Sequence, residues 1–269
     1  MRESSILRRS WVSEVERASK LARIIITVAS RGKAALRRAG RRLYQVYLRP
    51  VRLMEEVREN PDASAPAILI AIGFTLQTLI VCALLFGVKL SIQSAPPVDL
   101  LSGFYSNLPT YIVLRGVSLF AVWFILFIIY WFIMYILGSR VEGFTVFSAV
   151  GYTLSCQILT FAAVLAIYSV AASMTPSITL VGVRGVYPQL FSLAAHRYRL
   201  DVESSAIGVP VQGLIEGFEY FGSIWSTLLT LLTFKVVGEL PWKKAVGGGL
   251  AAAAAAWLIA GIFRIAGLI

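Results

Sequence analysis

The apolar residues of this chain are gathered into long stretches separated by short polar connections. A helix needs about 20 mainly apolar residues to cross the ~30 Å hydrocarbon layer of a bilayer, and five stretches satisfy that requirement. They cover residues 66–88, 111–137, 146–172, 214–237 and 245–268. The pattern therefore predicts an all-α polytopic membrane protein built as a five-helix transmembrane bundle.

Residues 178–195 form a further apolar stretch, but they contain Arg184 and Pro188 and two glycines, which interrupt a lipid-facing helix. We interpret this stretch as an external segment that is interfacial or re-entrant. The residues that precede the first span are charged throughout. We therefore expect no cleaved signal peptide, and we expect the first span itself to direct insertion.

The N-terminal segment, residues 1–47, is basic and amphipathic. Apolar residues recur at three- and four-residue spacing from Leu7 to Val28, and the basic residues fall largely at the other positions. This predicts a helix in the interface of an anionic inner leaflet, with about 1 kcal/mol contributed per basic residue near the surface. Positive-inside topology with a solvated face is an alternative explanation of the same charge. The arginines expected at the inner leaflet are Arg37, Arg38, Arg41 and Arg42.

The stretch RPVRLMEEVRENP comes next and predicts a short helix that ends before Pro61. Pro50 stands in its first turn, where a missing N–H costs nothing. Leu53, Met54 and Val57 share one face of this helix. We expect it to lie along the membrane where the first span begins.

Composition and charge support a membrane location and an orientation. The chain is 58% hydrophobic and 14% charged, with a mean hydropathy of +0.76 and a net charge of +11. Of its 25 basic residues, 15 precede residue 65. The positive-inside rule therefore places the N-terminus in the cytoplasm and, after five spans, the C-terminus outside the plasma membrane. Because the membrane spans account for this charge, we expect no nucleic-acid partner.

Residues that carry catalytic or metal chemistry are scarce in this chain. The single histidine, His196, lies in the external connection, and Cys82 and Cys156 lie in apolar stretches. The glycines at 247–249 lack the Lys and Ser or Thr of a phosphate-binding loop. We find neither a nucleophile paired with a base nor a metal-ligand spacing, and we expect no enzyme activity, cofactor or metal site.

Four charged residues fall inside or at the ends of the predicted spans, where charges are rare and often functional. They are Arg115, Glu216, Glu219 and Arg264. In the predicted topology all four lie within one or two turns of the outer surface, and the two glutamates share a helix face. We therefore expect Glu216 or Glu219 to contact Arg264 or Arg115. A structural ion pair, snorkelling to the interface and a proton or ion relay all remain open.

The fifth span begins with Gly247, Gly248 and Gly249 and continues with alanines at 251–256. Small residues allow helix backbones to approach closely in a membrane. The sequence leaves open whether these contacts join helices of one chain or of two copies in a homo-oligomer.

Three further segments stand out, in order along the chain. The first is a pair of prolines around an apolar and Glu-containing stretch before the first span. The second is LGSRVEGFTVFSAVGYTL, and the third is IWSTLLTLLTFKVVGELPWKKAV. Together they resemble the Yip membrane family, the five-span Ypt/Rab-interacting proteins. The positions that match are Pro50, Pro61, Gly143, Phe144, Gly151, Tyr152, Trp225, Gly238, Trp242 and Lys243.

The resemblance covers residues 48–269 and implies a Yip-like membrane domain there. Two departures, a replaced proline near Cys156 and Gln157 and a missing DLYGP-like signature, are typical of the broader prokaryotic-type branch. In eukaryotic members the family implies association with Rab-type small GTPases and with vesicle traffic or membrane shaping.

The leading functional hypothesis is a non-enzymatic membrane scaffold or adaptor. Its protein partners would bind the cytosolic segment and the turns at 138–145 and 238–244. The alternative is a small transporter or channel component with the charged residues near its outer mouth. A water-filled cavity reaching mid-membrane would favour transport, whereas a dry core packed by Gly and Ala would favour the scaffold.

Overall fold

The structure is a computed structural model that describes residues 32–86, 90–93, 98–174, 178–181 and 211–265. This part of the chain is helical apart from two four-residue strands. The predicted amphipathic helix from Leu7 to Val28 and the predicted external segment beyond residue 181 lie outside the described residues. The elements are α1 (32–48), α2 (Pro50–Glu59), α3 (Ser64–Phe86), β1 (Leu90–Gln93), α4 (Val98–Ile136), α5 (Gly143–Ser155), α6 (Gln157–Met174), β2 (Ile178–Val181), α7 (Val211–Leu232), a π-helical segment (Thr233–Val237) and α8 (Trp242–Ile265).

Four helical stretches of the described residues are long and apolar enough to cross a bilayer. They are Ile112–Ile136, Gly143–Val170, Gly213–Val237 and Trp242–Phe263, and they agree with the predicted second to fifth spans to within a few residues. The predicted first span falls on α3, of which Ser64–Ile80 is a shorter apolar helix by the same measure. The chain is therefore an integral membrane protein with a helical core.

Two helices differ from their predicted spans in a physically informative way. α4 begins at Val98, 13 residues before the predicted span, and at 1.5 Å per residue it is about 58 Å long. Because this exceeds the hydrocarbon thickness, its first turns need not be apolar. The predicted span 146–172 is divided at Cys156 into α5 and α6.

The short helix α2 confirms its predicted boundaries and face. Pro50 begins it, and Leu53, Met54 and Val57 are its buried residues. They join a core cluster with Ala39 and Val46 of α1 and with residues of α3, α5, α6 and α7. α1 is thus packed against the membrane helices, and the division of the chain at residue 47 stays a prediction.

The two strands form a parallel pair in which Leu90 lies opposite Ile178. The pattern of the sequence did not predict them. β1 follows α3 and β2 follows α6, and these two helices pack against each other along their length. The strand pair therefore joins the same ends of two neighbouring helices, and its ladder pairs backbone groups of the two strands with each other.

Close helix approach is confirmed at several glycines. A Cβ placed on Gly151 would lie 2.5 Å from Cβ of Pro66 and 2.9 Å from the Trp123 ring. On α8, Gly249 meets Leu231 of α7, with its Cβ position 3.2 Å from the Cα atom of Leu231. Gly247 has no atom within 4 Å of its Cβ position among the described residues. Gly248 packs against Leu137 and Phe234. Gly248 and Gly249 therefore make contacts within one chain.

Candidate functional site at the helical hairpin

α1 and α2 form an antiparallel hairpin, residues 32–59, that turns at Arg49. Arg49 is bonded to both helices: its N–H donates to Gln45 O of α1, and its carbonyl accepts from the Leu53 N–H of α2. Arg38 on α1 reaches Asp62 beyond the end of α2 at 3.4 Å. These contacts fix the register of the α1–α2 hairpin.

Glu56 is the electrostatic centre of the hairpin. Its Oε1 accepts hydrogen bonds from Gln45 Nε2 at 2.8 Å, Arg41 Nη2 at 3.0 Å and Arg52 Nε at 3.3 Å. Arg42 Nε lies 3.8 Å from Oε2. Burial alone would raise the pKa of Glu56, but the Gln45 hydrogen bond and the charges of Arg41 and Arg42 outweigh it and lower the pKa below its usual value.

Glu56 is therefore expected to make stability depend on pH. A carboxyl whose pKa is lowered on folding contributes stability that is complete above its ordinary pKa and is lost as the pH falls through the lowered value. We expect the melting temperature of the solubilised wild type to exceed that of Glu56→Gln at pH 7. This gap should shrink as the pH is taken below about 4. A gap that is the same at both pH values would contradict the role of the ionised carboxylate.

Asp62 joins three helices where α2 gives way to α3. Its Oδ1 accepts from the Ala65 N–H at 3.3 Å and from the Tyr152 hydroxyl at 3.2 Å. Its backbone N–H donates to Ser148 Oγ, and the Ser148 hydroxyl donates to the Asp62 carbonyl. A carboxylate near the first turn of a helix satisfies free N–H groups, and here it also connects that turn to α5.

Two aromatic residues fasten the hairpin to the membrane helices. The Tyr47 hydroxyl donates to Cys156 O at 2.7 Å and accepts from the Leu159 N–H at 3.0 Å. Trp225 Nε1 of α7 donates to Val46 O at 3.0 Å. Burial raises the pKa of Tyr47 to about 12, although the hydrogen bond from the Leu159 N–H lowers it in part, so its hydroxyl keeps its proton at ordinary pH.

The position of Tyr47 explains how the interruption between α5 and α6 is tolerated. Backbone groups freed by a helix break are costly in an apolar medium unless another group pairs with them. The Tyr47 hydroxyl supplies both a donor and an acceptor to the backbone on the two sides of this break.

Two turns lie at the same end of the bundle as the hairpin. Gly138 adopts φ +93° in the turn after α4, and Lys244 Nζ donates to Leu137 O at 2.9 Å. Glu239 adopts φ +52° in the turn before α8 and pairs with Arg58 of α2 at 3.0 Å. The hairpin and the two turns thus form one continuous surface.

The residues that carry the family resemblance mostly hold this end of the structure together. Gly143 and Phe144 begin α5, and Gly238 follows the π-helical segment, where a Cβ would lie 2.7 Å from Phe234 O. Trp242 begins α8 and lies under Lys235 Nζ, 5.6 Å from the ring centroid. Gly151, Tyr152 and Trp225 occupy the contacts described above, Pro50 begins α2, Pro61 lies between α2 and α3, and Lys243 is exposed in the first turn of α8.

Three of the four arginines predicted at the inner leaflet contact residues of the hairpin or of the adjoining segments. Arg38 pairs with Asp62, Arg41 pairs with Glu56, and Arg42 stacks over the Tyr152 ring at 5.6 Å. The Arg42 side chain is only 8% exposed, whereas Arg37 is exposed. Contact of these arginines with the leaflet stays a prediction.

The predicted intramembrane charges lie at the opposite end of the bundle. Arg115 is near the start of the Ile112–Ile136 span, Glu216 and Glu219 are near the start of the Gly213–Val237 span, and Arg264 lies just beyond Phe263. α8 packs against both α4 and α7. The helices that carry the four residues are therefore neighbours, and the expected contact between their charges stays a prediction.

Sequence reasoning did not single out Tyr47, Gln45, Glu56 or Asp62. For Asp62 a signal was present, because an aspartate three residues before Ala65 and next to Pro61 is typical of a helix start. Glu56 and Tyr47 carry no local signal, since their partners are defined only by tertiary packing.

Comparison with protein families gives one finding. The family model described as the Yip1 domain matches residues 44–265, which include most of the hairpin and all the helices that follow it. Comparison with curated proteins and with solved structures finds no match for this chain.

Proposed function

The chain belongs to the Yip1 domain family, and from that membership we propose that it is a non-enzymatic integral membrane scaffold or adaptor. The family resemblance implies membrane adaptors with protein partners at the cytosolic face. The observation that carries the proposal is the attachment of the α1–α2 hairpin to the bundle through Tyr47 and Trp225. A rigid surface presented at one membrane face is what a scaffold requires.

The proposal includes five spans with a cytoplasmic N-terminus in the plasma membrane. α3 has 23 residues and would be about 34 Å long, enough for the hydrocarbon layer. The end of the bundle that carries the hairpin also carries Arg140, Lys235, Lys243 and Lys244. This concentration of cations supports a cytoplasmic location of that end, with the C-terminus outside.

A cleft between the hairpin and the last turn supplies a surface of mixed charge for a protein partner. It has a volume of about 500 Å³ and is lined by Glu55, Arg58, Glu59, Lys235, Val236 and Glu239. Glu55, Arg58, Glu59 and Glu239 are exposed. Interleaved charges of both signs give specificity and orientation at protein interfaces.

Close packing at mid-membrane supports the scaffold over the small transporter or channel. Thr160 Oγ1 of α6 donates to Phe218 O of α7 at 3.2 Å, and Gly222 of α7 lies directly against Thr160 and Gln157. These polar side chains of the central membrane region are used for helix contact in the described structure. Polar side chains with such contacts stabilise helix packing instead of lining a path for ions.

The adaptor role is tested by reversing charge on the exposed face of α2. We expect Glu55→Lys with Glu59→Lys to reduce the recovery of specific partners from native membranes at least fivefold by quantitative mass spectrometry. Glu55→Asp with Glu59→Asp keeps the charge at the same positions and should recover the wild-type set. Equal recovery with both double variants would contradict the proposed surface.

A further inference from the structure

A second cleft opens at the tip of the hairpin. It has a volume of about 370 Å³ and is lined by Arg41, Tyr44, Gln45, Arg49 and Arg52. The first three residues belong to α1, Arg52 belongs to α2, and Arg49 connects the two helices. The cleft therefore exists only when the hairpin is closed.

The charges around this cleft do not balance. Arg41, Arg42 and Arg52 share the single carboxylate of Glu56, and Arg49 forms no ion pair with any residue that the structure describes. Of the three arginines that line the cleft, Arg41 and Arg52 thus share one carboxylate with Arg42, which lies outside the lining, and Arg49 has none among the described residues. Guanidinium groups bind phosphate oxygens through paired hydrogen bonds, so an anion of this kind would restore the balance.

Gln45 adds a requirement for a hydrogen-bond donor. It is 4% exposed, and its Nε2 is engaged by Glu56. Gln45 lines the cleft, and its Oε1 is buried and has no hydrogen-bond partner among the described residues. An unpaired buried acceptor costs about 1–3 kcal/mol, and a hydroxyl or ammonium donor next to the bound phosphate would satisfy it.

Exposed apolar side chains border the cations. Leu48 is 64% exposed and Val51 is 47% exposed, and both adjoin Arg49. Tyr44, which lines the cleft itself, is 55% exposed. A soluble phosphate would leave these apolar side chains exposed, whereas the acyl chains of a lipid would cover them.

We propose that the cleft at the hairpin tip is a binding site for one anionic phospholipid whose headgroup carries a hydrogen-bond donor. Arg41, Arg49 and Arg52 bind the phosphate, and Gln45 accepts from the headgroup. The acyl chains lie along Leu48 and Val51. This site is separate from the cleft at Glu55 and Glu59, and it does not depend on the adaptor role.

The test measures the binding of short-chain lipids to the full chain in detergent by native mass spectrometry. The probes are dioctanoyl phosphatidylglycerol, dioctanoyl phosphatidylcholine as the zwitterionic lipid, dioctanoyl phosphatidylmethanol as an anion without the headgroup donor, and inorganic phosphate. We expect phosphatidylglycerol to bind at least tenfold more tightly than phosphatidylcholine or phosphate. Phosphatidylmethanol should bind several-fold more weakly than phosphatidylglycerol.

The decisive variant is Arg49→Gln with Arg52→Gln, which should weaken binding of phosphatidylglycerol at least tenfold. Lys33→Gln with Arg140→Gln removes two exposed cations outside the cleft and should weaken it less than threefold. Equal weakening by both pairs, or equal binding of phosphatidylcholine or phosphate, would overturn the proposal. Should the double variant fail to fold, Arg49→Gln alone provides the same comparison, because Arg49 forms no ion pair with the residues described.

Discussion

Tyr47→Phe is expected to lower the free energy of unfolding by about 2–4 kcal/mol. The substitution removes one oxygen atom and leaves Cys156 O and the Leu159 N–H without their partner at the break between α5 and α6. An unsatisfied buried backbone group costs about 1–3 kcal/mol, and two such groups are affected. The effect should appear as a lower melting temperature of the solubilised chain.

Tyr44→Phe is the matched control for this change. Tyr44 lies on the same helix three residues earlier but is exposed, so its hydroxyl makes no buried hydrogen bond with the residues described. We expect a change within about 0.5 kcal/mol. The two variants should also differ in hydrogen exchange, with faster exchange of the Leu159 amide in Tyr47→Phe alone. Equal stability of the two variants would show that the Tyr47 hydroxyl does not support the helix break.

Gly151→Ala is expected to destabilise the helix bundle by about 2–4 kcal/mol. The new methyl group would lie 2.5 Å from Cβ of Pro66 and 2.9 Å from the Trp123 ring, far inside van der Waals contact. Pro66 belongs to the first turn of α3, and the Trp123 side chain is held by its hydrogen bond to Phe147 O at 2.9 Å. Neither neighbour can move away without displacing a helix, and overpacking of this kind costs 1–3 kcal/mol or more.

Gly217→Ala is the control that distinguishes a steric clash from the effect of helix propensity. Gly217 also lies inside a helix, but no atom of the described residues comes within 4 Å of its Cβ position. Alanine is favoured over glycine in a helix by up to about 1 kcal/mol. We therefore expect Gly217→Ala to leave the melting temperature unchanged or raise it slightly. A comparable loss of stability in both variants would contradict the steric explanation for Gly151.

Four of the spans and the buried face of α2 could be predicted because each depends on local sequence. A membrane span is predicted from the summed hydropathy of about 20 neighbouring residues. Leu53, Met54 and Val57 share a face through helix geometry alone. The break at Cys156 could not be predicted in this way, since the stretch Gly143–Val170 as a whole is apolar enough for one continuous span. Its stability depends on Tyr47, which lies 109 residues away.

The hairpin site was only partly predictable for a related reason. The sequence marked Arg38, Arg41 and Arg42 as a basic group on the strength of their number and spacing. It could not assign them to Asp62 and Glu56, because either carboxylate could equally face solvent in an isolated segment of the chain. The pairing follows from the turn at Arg49, which brings α2 back along α1.

The anchoring of the hairpin also constrains the order in which the protein is assembled. Tyr47 leaves the ribosome long before its partners Cys156 and Leu159. Trp225, which bonds to Val46, is synthesised 179 residues after it. Contacts at such separation form only after the intervening chain has been made. The hairpin is therefore synthesised before the helices that hold it, and a nascent chain arrested before α7 would lack the attachment through Trp225.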